Sequence, residues 1–524
     1  MKAAEFSIQP GTLTAASPAS GQAISGVHRA RLIFLGLQAI HIICFWAYVG
    51  QVQAVLLAAS GILCICLYSY LLKVEIVSGG IAISPFVLYL CAALLIIGVG
   101  PAWAALVYWE GLYGTFMYGR YDVSANLMEG HALLLLGDWF LIAGYTAVAK
   151  WRGSPNQITE PARGNSIAAI ALLTIAVGGV LEIGFYLGLD FSAFGSWYKI
   201  VSRYSGPAGL LMLLFLLSRT VGPRRQTLLV LIILCLALNL SLALRSNMKQ
   251  ETMVVLLPVL VFLFSNLRKA KDGRPRLNWP VVVISGVIGV FVVMILFPFN
   301  ELRRNYIWEG RVRMEAPNPV PFLMEAFRAA VPGSPSFAMM HEFPETGFWS
   351  FLSRHAYLIS SGWSSHYVAQ QGHIDGEFLR DGLVGLIPRA LWSDKPMVSA
   401  GRKVAVMIGQ AQDVESATTS TDAGSMAGAL YLNFGFPCLI IGMFVNGALL
   451  CLIWSWVAPD ILINPFAALT AMMLYVAAGR YFASAADGNI AFYVTLLVLY
   501  VPLIYATKRM FRGPEPPTPG RMLV

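Results

Sequence analysis

The sequence predicts an all-α integral membrane protein with about twelve transmembrane helices and one long extracytoplasmic loop that contains short amphipathic helices. Of its 524 residues, 57% are hydrophobic and 12% are charged, whereas roughly a quarter of the residues of a soluble globular protein are charged. The hydrophobic residues form separate segments, many of them close to the ~20 residues that a helix needs to cross a bilayer. Lysine and arginine are concentrated in alternate connections between these segments.

Twelve segments have the composition of spanning helices. They are 31–49, 51–72, 81–108, 131–149, 166–188, 205–219, 226–244, 251–267, 279–298, 436–457, 463–483 and 489–507. The two shortest begin at residues 205 and 251, so the count of twelve depends on them. The first nine form a predicted transmembrane bundle at 31–298, and the last three form a C-terminal group at 436–507.

The distribution of basic residues predicts that both termini are cytoplasmic. In that orientation the cytoplasmic connections and tails carry 19 lysines and arginines, the short outer connections carry 6, and the loop at 299–435 carries 11. Long loops translocate largely regardless of charge, so the comparison that decides orientation is between the first two numbers. The net charge of +9 follows from this retention signal and from anionic headgroups, which argues against nucleic acid as a partner.

The two ends of the chain are predicted to be cytoplasmic tails. Residues 1–30 are rich in Ser, Ala and Gly, which is typical of a disordered segment and not of a cleaved signal peptide. Residues 508–524 contain four prolines after Gly513, and these cannot continue a helix. All seven cysteines fall in apolar segments, so neither a disulfide framework nor a thiolate metal site is predicted.

The long loop at 299–435 combines cations with aromatic rings. It contains four of the seven histidines and several tryptophans beside its basic residues. Its apolar stretches are too short to span and predict amphipathic helices that fold the loop onto the membrane. Arginine binds phosphate oxygens bidentately and aromatic rings stack on sugars, so the loop fits a lipid-linked diphosphate sugar. Binding of the arginines to headgroups, or their solvation, explains the composition equally well.

Three stretches carry a resemblance to a known family. Residues 382–396 read GLVGLIPRALWSDKP, and residues 425–435 read SMAGALYLNFG. Residues 242–258 read LALRSNMKQETMVVLLP, with Arg245 at the end of an outward-facing helix. Together with the expected topology, these stretches resemble the bacterial Wzy-type O-antigen and exopolysaccharide repeat-unit polymerases, which are related to O-antigen ligases. The glycine that follows the arginine in that family is absent here.

The resemblance implies a metal-independent glycosyltransferase of the C-type membrane fold, a multi-pass protein of the bacterial inner membrane whose long loop is periplasmic. Such an enzyme polymerises undecaprenyl-diphosphate-linked oligosaccharide repeat units at the periplasmic face, by en bloc transfer of the growing chain to an incoming repeat unit. No cofactor is implied. The implied partners are the lipid-linked oligosaccharides, membrane lipids, a chain-length regulator and a flippase.

Glycosyl transfer from a lipid diphosphate requires cationic stabilisation of the leaving group, a base for the attacking hydroxyl and a geometry that joins them. The candidate catalytic residues are Arg245, Arg354 and Arg389 for the diphosphate, with Glu377 and His366 as candidate bases. The candidate substrate-binding residues are Lys249, Trp392, Asp394, Lys395, Tyr431 and Asn433.

The cationic candidates also have structural explanations. Arg245 could extend its charge to the membrane interface without binding substrate, although Lys249 one turn later favours a site by placing two cations on one helical face. Arg389 could pair with Asp394 or Asp381 and only fold the loop.

The acidic residues and the histidine also have both a functional and a structural explanation. Glu377 and His366 lie among aromatic or apolar residues that shift a pKa towards neutrality, but each could equally be structural or solvated. Asp413 and Glu415 form a paired-acid arrangement in the loop. Their Gln, Ser and Thr neighbours favour a flexible linker over a metal site.

Two alternative functions remain open from the sequence. An O-antigen-ligase-like transferase would move the finished glycan to another acceptor, but a ligase-type histidine motif is not evident in the loop. A polysaccharide or lipid-linked sugar transporter is favoured by three ionisable residues inside predicted spans, His41, Asp138 and Glu182, because charge is costly at that depth. Neutral, hydrogen-bonded packing between helices explains these residues as well.

Overall fold

The protein is described from a computed structural model. The structure describes residues 19–47, 54–78, 84–109, 117–118, 120–152, 164–187, 196–245, 249–265, 268–271, 274–277, 283, 324–325, 328, 356–387, 392, 394–396, 400–414, 425–479 and 492–511. These residues are almost entirely helical, as the sequence predicts.

The described helices before the long loop are rich in apolar residues and continuous over many turns. They are α1 (Ala19–Trp46), α2 (Ala54–Ser78), α3 (Pro85–Ala93), α4 (Gly100–Trp109), α5 (Leu127–Arg152), α6 (Gly164–Tyr186), α7 (Ser196–Arg219), α8 (Pro223–Arg245) and α9 (Lys249–Ser265). A π-helical segment, Leu94–Val99, joins α3 to α4 without a break. An antiparallel hairpin of β1 (Met117–Tyr118) and β2 (Tyr121–Asp122) precedes α5, and a second, of β3 (Arg268–Lys271) and β4 (Arg274–Leu277), follows α9.

The described helices of the loop and of the C-terminal part follow in the same chain order. They are α10 (Tyr357–Gln371), α11 (Glu377–Gly385), α12 (Ala400–Met407), α13 (Met426–Phe434), α14 (Phe436–Val457), α15 (Pro465–Gly479) and α16 (Val501–Phe511). Helix α11 buries Phe378 while exposing Leu383, and α12 buries Val404. These two short helices agree with the amphipathic helices that the sequence predicts within the loop.

Eight helices of the described residues are long and apolar enough to cross a membrane. They are Ser25–Trp46, Ala54–Ile76, Pro85–Val107, Ser124–Arg152, Ile167–Gly184, Ile200–Arg219, Pro223–Ala243 and Phe436–Asp460. Three shorter apolar helices are Thr252–Ser265, Pro465–Gly479 and Phe492–Lys508. These helices coincide with eleven of the twelve predicted segments. The remaining segment, 279–298, lies outside the described residues except for Val283, so the count of twelve stays a prediction.

Two helices begin more than two turns earlier than the hydropathy pattern predicts. Helix α1 starts at Ala19 and not at residue 31, within the stretch that we expect to be a disordered tail. Helix α7 starts at Ser196 and not at residue 205. The physical reason is that a hydropathy segment ends where polar side chains begin, whereas backbone hydrogen bonding continues through polar residues until a helix-breaking residue or tertiary packing ends it.

Helices α10 to α13 gather at one end of α5, which we call the loop face. Trp46, at the end of α1, packs its ring against Phe436, the first residue of α14, with centroids 5.5 Å apart. The side chain of His366 in α10 meets Asn126 just before α5. At the opposite face, the Arg152 guanidinium lies over the Trp456 ring.

Helix α5 packs against its neighbours through a row of glycines. Gly130, Gly137 and Gly144 recur every seven residues and therefore share one face of the helix. A Cβ at Gly130 would lie 2.1 Å from the carbonyl oxygen of Leu358, and one at Gly144 would lie 2.0 Å from that of Phe444. The backbones of α10 and α14 thus approach α5 more closely than any side chain would permit, which is how small residues promote helix association in membranes.

We predict that Gly144→Ala destabilises the protein. The added methyl group must displace the Phe444 carbonyl, and overpacking of this kind costs about 1–3 kcal/mol of unfolding free energy. The matched control is Gly179→Ala in α6, where a Cβ would meet nothing within 4 Å. Thermal unfolding in detergent micelles should show a lower midpoint for the first variant alone. Equal midpoints would contradict the close packing of α5 on α14.

Candidate functional site

Four polar side chains meet at the loop-face end of α5. Asn126 donates from Nδ2 to Oε2 of Glu129 at 2.9 Å, and the Ser365 hydroxyl donates to the same carboxylate oxygen. Nδ1 of His366 lies 3.2 Å from Oδ1 of Asn126. We call these four residues the loop-face cluster. It joins α5 to α10 and brings one predicted catalytic residue, His366, to a carboxylate.

The hydrogen bonds of the cluster determine where the histidine carries its proton. Because the Asn126 Nδ2 group donates to Glu129, its Oδ1 faces His366 and can only accept. Neutral His366 is therefore protonated on Nδ1, which leaves a lone pair on Nε2. His366 and Glu129 are both half-buried. The cluster thus presents a base whose orientation is set by a neighbouring amide.

Aromatic and cationic side chains flank the cluster. The Tyr121 ring meets the His366 ring edge-on, with centroids 5.8 Å apart, and the exposed Arg120 guanidinium lies 5.3 Å from the centroid of the Tyr121 ring. On another side, burial and then the negative charge of Glu129 raise the pKa of the Tyr431 phenol. Helix α13, which carries Tyr431, also packs against α10, which carries His366.

A row of rings extends from Tyr431 along the loop face. His373 and Tyr431 have ring centroids 5.9 Å apart, and Tyr431 and Phe436 have centroids 5.1 Å apart. Phe436 then contacts Trp46, and these last two side chains remain 37% and 39% exposed. We call Trp46, His373, Tyr431 and Phe436 the aromatic row. Its partly exposed rings can stack on an apolar or sugar surface.

The other candidate base, Glu377, is held in an ion-pair cluster. The Lys403 ammonium lies 2.6 Å from Glu377 Oε1 and 2.5 Å from Oδ2 of the buried Asp381. Burial acts to lower the pKa of Lys403, but hydrogen bonds and charges from both carboxylates outweigh it and raise this pKa. Lys403 thus fastens α12 to α11. Glu377 is occupied by this contact, whereas no hydrogen bond within the described part of the chain occupies Nε2 of His366.

Two predicted binding residues make internal hydrogen bonds. Asn433 is fully buried and accepts from the backbone N–H of Phe378 at 3.2 Å, which positions the start of α11 on α13. The Lys395 ammonium donates to the carbonyl oxygens of Gly385 and Ile387 at 3.0 and 2.8 Å. It therefore satisfies carbonyl groups at the C-terminal end of α11.

The remaining predicted site residues are exposed or lie outside the described residues. Trp392 is 39% exposed and Asp394 is also exposed. Arg354 and Arg389 lie outside the described residues, as does Glu415 of the paired-acid stretch. Helix α8 ends at Arg245 and α9 begins at Lys249, so the prediction that these two cations share one helical face is wrong, because they belong to different helices. Of Arg245 and Lys249 the structure describes only the backbone. The described residues contain no group of three or more potential metal ligands among His, Cys, Asp and Glu.

Sequence analysis missed most of the loop-face cluster. Asn126 and Ser365 carry no signal of their own, because amides and hydroxyls are common in loops. Glu129 stands two residues before the predicted span at 131–149 and far in sequence from the long loop. A carboxylate at the first turn of a helix that enters the membrane is the signal that could have identified it.

A second polar region lies within the helix bundle. His41 and Asp138, two of the ionisable residues predicted inside spans, are buried, and Glu182 is half-buried. Asp138 accepts hydrogen bonds from the hydroxyl groups of Tyr68 and Tyr89. Neutral, hydrogen-bonded packing between helices is therefore compatible with Asp138.

The fold and these polar regions define a polytopic helical membrane protein with a polar site at one face. Residues 134–460 match the family described as a domain of unknown function, DUF8712. This match covers more than half of the 524 residues, and the chain belongs to that family. The matched region runs from within α5 to the end of α14 and includes His366. No curated protein and no solved structure matches the chain.

We predict that Lys403→Met lowers the free energy of unfolding by about 2–3 kcal/mol, because it leaves the buried Asp381 carboxylate without its cation. Arg380→Met is the matched control. The Arg380 side chain is 71% exposed and lies 4.0 Å from Glu377, so its loss should cost less than about 0.5 kcal/mol.

The pH dependence of the same contact has a definite sign. Because the folded-state pKa of Lys403 is raised, the stabilisation is complete below the ordinary pKa of 10.5 and is lost only as the pH rises through the folded value. Thermal unfolding of the wild type and of Lys403→Met should therefore differ at neutral pH and converge in strong alkali. A difference that persists unchanged in strong alkali would contradict the ion pair.

Proposed function

We propose that the protein is a metal-independent glycosyltransferase that polymerises undecaprenyl-diphosphate-linked repeat units at the periplasmic face of a bacterial inner membrane. The loop face is the periplasmic face in this proposal. The observation that supports it most directly is the loop-face cluster, where Asn126 orients His366 with Nε2 free to accept a proton. Two sequence motifs that resemble the polymerases, at 382–396 and 425–435, also support it. The second motif includes α13, which packs against α10, the helix that carries His366.

His366 acts as the general base. The acceptor sugar hydroxyl transfers its proton to Nε2 of His366 while its oxygen forms a bond to the anomeric carbon of the donor. The bond between that carbon and the diphosphate oxygen breaks, and the lipid diphosphate leaves with the electron pair. The resulting imidazolium is stabilised by the Glu129 carboxylate through Asn126, which bridges the two side chains. A positioned base of this kind contributes about 10²–10⁴-fold to the rate.

Cations at the loop face stabilise the leaving diphosphate. Arg120 is exposed and stacks on Tyr121, whose ring contacts His366, so a diphosphate within its reach lies beside the base. Arg245, Arg354 and Arg389 remain proposed members of this group from the sequence. A guanidinium keeps its charge at any accessible pH and binds phosphate oxygens bidentately.

The aromatic row binds the sugar portion of a substrate. Its rings run from Tyr431, beside Glu129, to Trp46 at the end of α1. An oligosaccharide that stacks along these rings would place one of its hydroxyl groups near the loop-face cluster. The lipid tail of the same substrate would remain in the adjacent membrane leaflet.

Deletion of the gene tests the function class. We expect loss of the polymer while a single repeat unit is still exported. Accumulation of full-length lipid-linked polymer that is never transferred would favour a ligase, and accumulation of the unflipped cytoplasmic intermediate would favour a transporter. Analysis of the extracted lipid-linked glycans by gel electrophoresis and mass spectrometry distinguishes the three outcomes.

We predict that His366→Ala reduces chain growth at least about 100-fold, since it removes the base. His373→Ala is the matched control, because His373 lies in the aromatic row without a hydrogen bond to the loop-face cluster among the described contacts. It should mainly raise KM. The measurement is extension of purified lipid-linked repeat units by the protein in nanodiscs.

A second comparison tests the choice between the two candidate bases. Glu377→Gln should retain most of the activity of the wild type, because Glu377 is paired with Lys403. Normal extension by His366→Ala together with inactivity of Glu377→Gln would overturn the assignment of the base.

A further inference from the structure

A chain of hydrogen bonds crosses from α1 to α5 inside the helix bundle. His41 Nε2 lies 2.9 Å from the Ser60 hydroxyl oxygen, and the same oxygen lies 2.7 Å from Nε2 of His131. All three side chains are buried, and His131 is fully enclosed. Each of these groups can accept a proton at one atom and release one, so the chain has the composition of a proton relay.

Asp138 lies two helical turns further from the loop face than His131 on α5. Its two carboxyl oxygens accept hydrogen bonds from Tyr68 of α2 and Tyr89 of α3. The side chain is fully buried and forms no ion pair with any described residue. An acid placed in an apolar bundle without a cation indicates a proton site, since the charged form alone is costly there.

Between Asp138 and the two histidines the bundle contains buried polar atoms without a hydrogen bond to a nitrogen or oxygen atom of the described residues. Gln38 is fully buried beside the Cys64 thiol, and no nitrogen or oxygen atom of the described residues forms a hydrogen bond with its amide group. Nδ1 of His131 is likewise enclosed and unpaired. Trp139 of α5 donates to the Leu35 carbonyl of α1 at 2.8 Å. Gln38 lies one turn after Leu35 on α1, so along the helix axis it lies between Asp138 and His41. Unpaired buried polar groups at one level indicate bound water.

The polar region is closed towards the opposite face. Phe34 and Leu71 are fully buried, and the Phe34 ring packs against Tyr68 with centroids 5.2 Å apart. Beyond them Arg31 and Glu75 form a buried ion pair at 2.5 Å. On the loop side the Phe45 ring packs edge-on against both histidines, with centroids 6.2 Å from His41 and 5.0 Å from His131. We therefore infer that bulk water reaches these groups from the loop face.

We propose that Asp138 binds a proton and exchanges it with the loop face through water beside Gln38 and then through His131, Ser60 and His41. In each step one O–H or N–H bond breaks as another forms on the next acceptor, so a proton is passed on and no group is consumed. This site would serve a proton-coupled movement or reaction of the bundle. It does not depend on the proposed glycosyl transfer.

The titratable groups around Asp138 come from each helix that packs on its side. They are Cys64 and Tyr68 of α2, Tyr89 of α3, His131 of α5 and His41 of α1. The face of α5 towards α13 and α14 carries Gly137. The phenols hold the carboxyl in place, and among the described residues the two histidines and Ser60 continue the polar contacts on the loop side of Asp138.

Infrared difference spectroscopy of the protein in nanodiscs tests the proposal. The wild-type spectrum minus that of Asp138→Asn should contain the C=O stretching band of a protonated carboxyl, and this band should shift after transfer to D₂O. Ser60→Ala should slow the shift about tenfold, because it removes the central relay hydrogen bond. Glu182→Gln is the matched control and should leave both the band and its rate unchanged.

Two results would overturn the proposal. One is the absence of a carboxyl band that depends on Asp138, and the other is an equal exchange rate in the wild type and Ser60→Ala. Should Asp138→Asn fail to fold, Tyr68→Phe provides a second route, since it removes one donor and should alter the frequency of the same band. An unaltered frequency would also count against the site.

Discussion

The close approach of α10 and α14 to α5 is the constraint on which the rest of the described structure depends. In lipid there is little hydrophobic drive to associate helices, so tight van der Waals packing must supply it. Gly130 and Gly144 permit this by leaving space for the carbonyl groups of Leu358 and Phe444. The adjacent face of α5, with His131 and Asp138 also seven residues apart, is thereby turned towards α1, α2 and α3. One helix thus organises both polar regions.

The loop-face cluster follows from that packing. Gly130 allows α10 to lie directly on α5, which brings Ser365 and His366 to Glu129 and Asn126. The Asn126 amide then has a single arrangement that satisfies both neighbours, donating to the carboxylate and accepting from the imidazole. The chemistry of the proposed base is therefore a consequence of helix packing more than of any local motif. Glu377 is the weaker candidate for the base because its carboxylate is paired with Lys403.

The loop helices are assembled by polar contacts of a different kind. Lys403 joins α12 to two carboxylates of α11, and Asn433 joins the start of α11 to α13. Lys395 and Asn433 lie within motifs that resemble the polymerases, yet the structure commits them to backbone carbonyl and amide groups. These two residues thus stabilise the loop helices, whereas Tyr431, in the second of the two stretches, belongs to the aromatic row.

The sequence by itself determined the class of the protein. Apolar segments of spanning length are set by local composition, and the described helices coincide with eleven of the twelve predicted segments. His366 and Tyr431 were also identified from the sequence, because ionisable and aromatic residues stand out in a loop.

The partners of His366 were decided only by tertiary structure, since Asn126 and His366 are 240 residues apart and no local pattern relates them. The same holds for Asp138, whose depth was predictable, whereas its two tyrosines and its neighbouring relay were brought to it by the packing of three other helices.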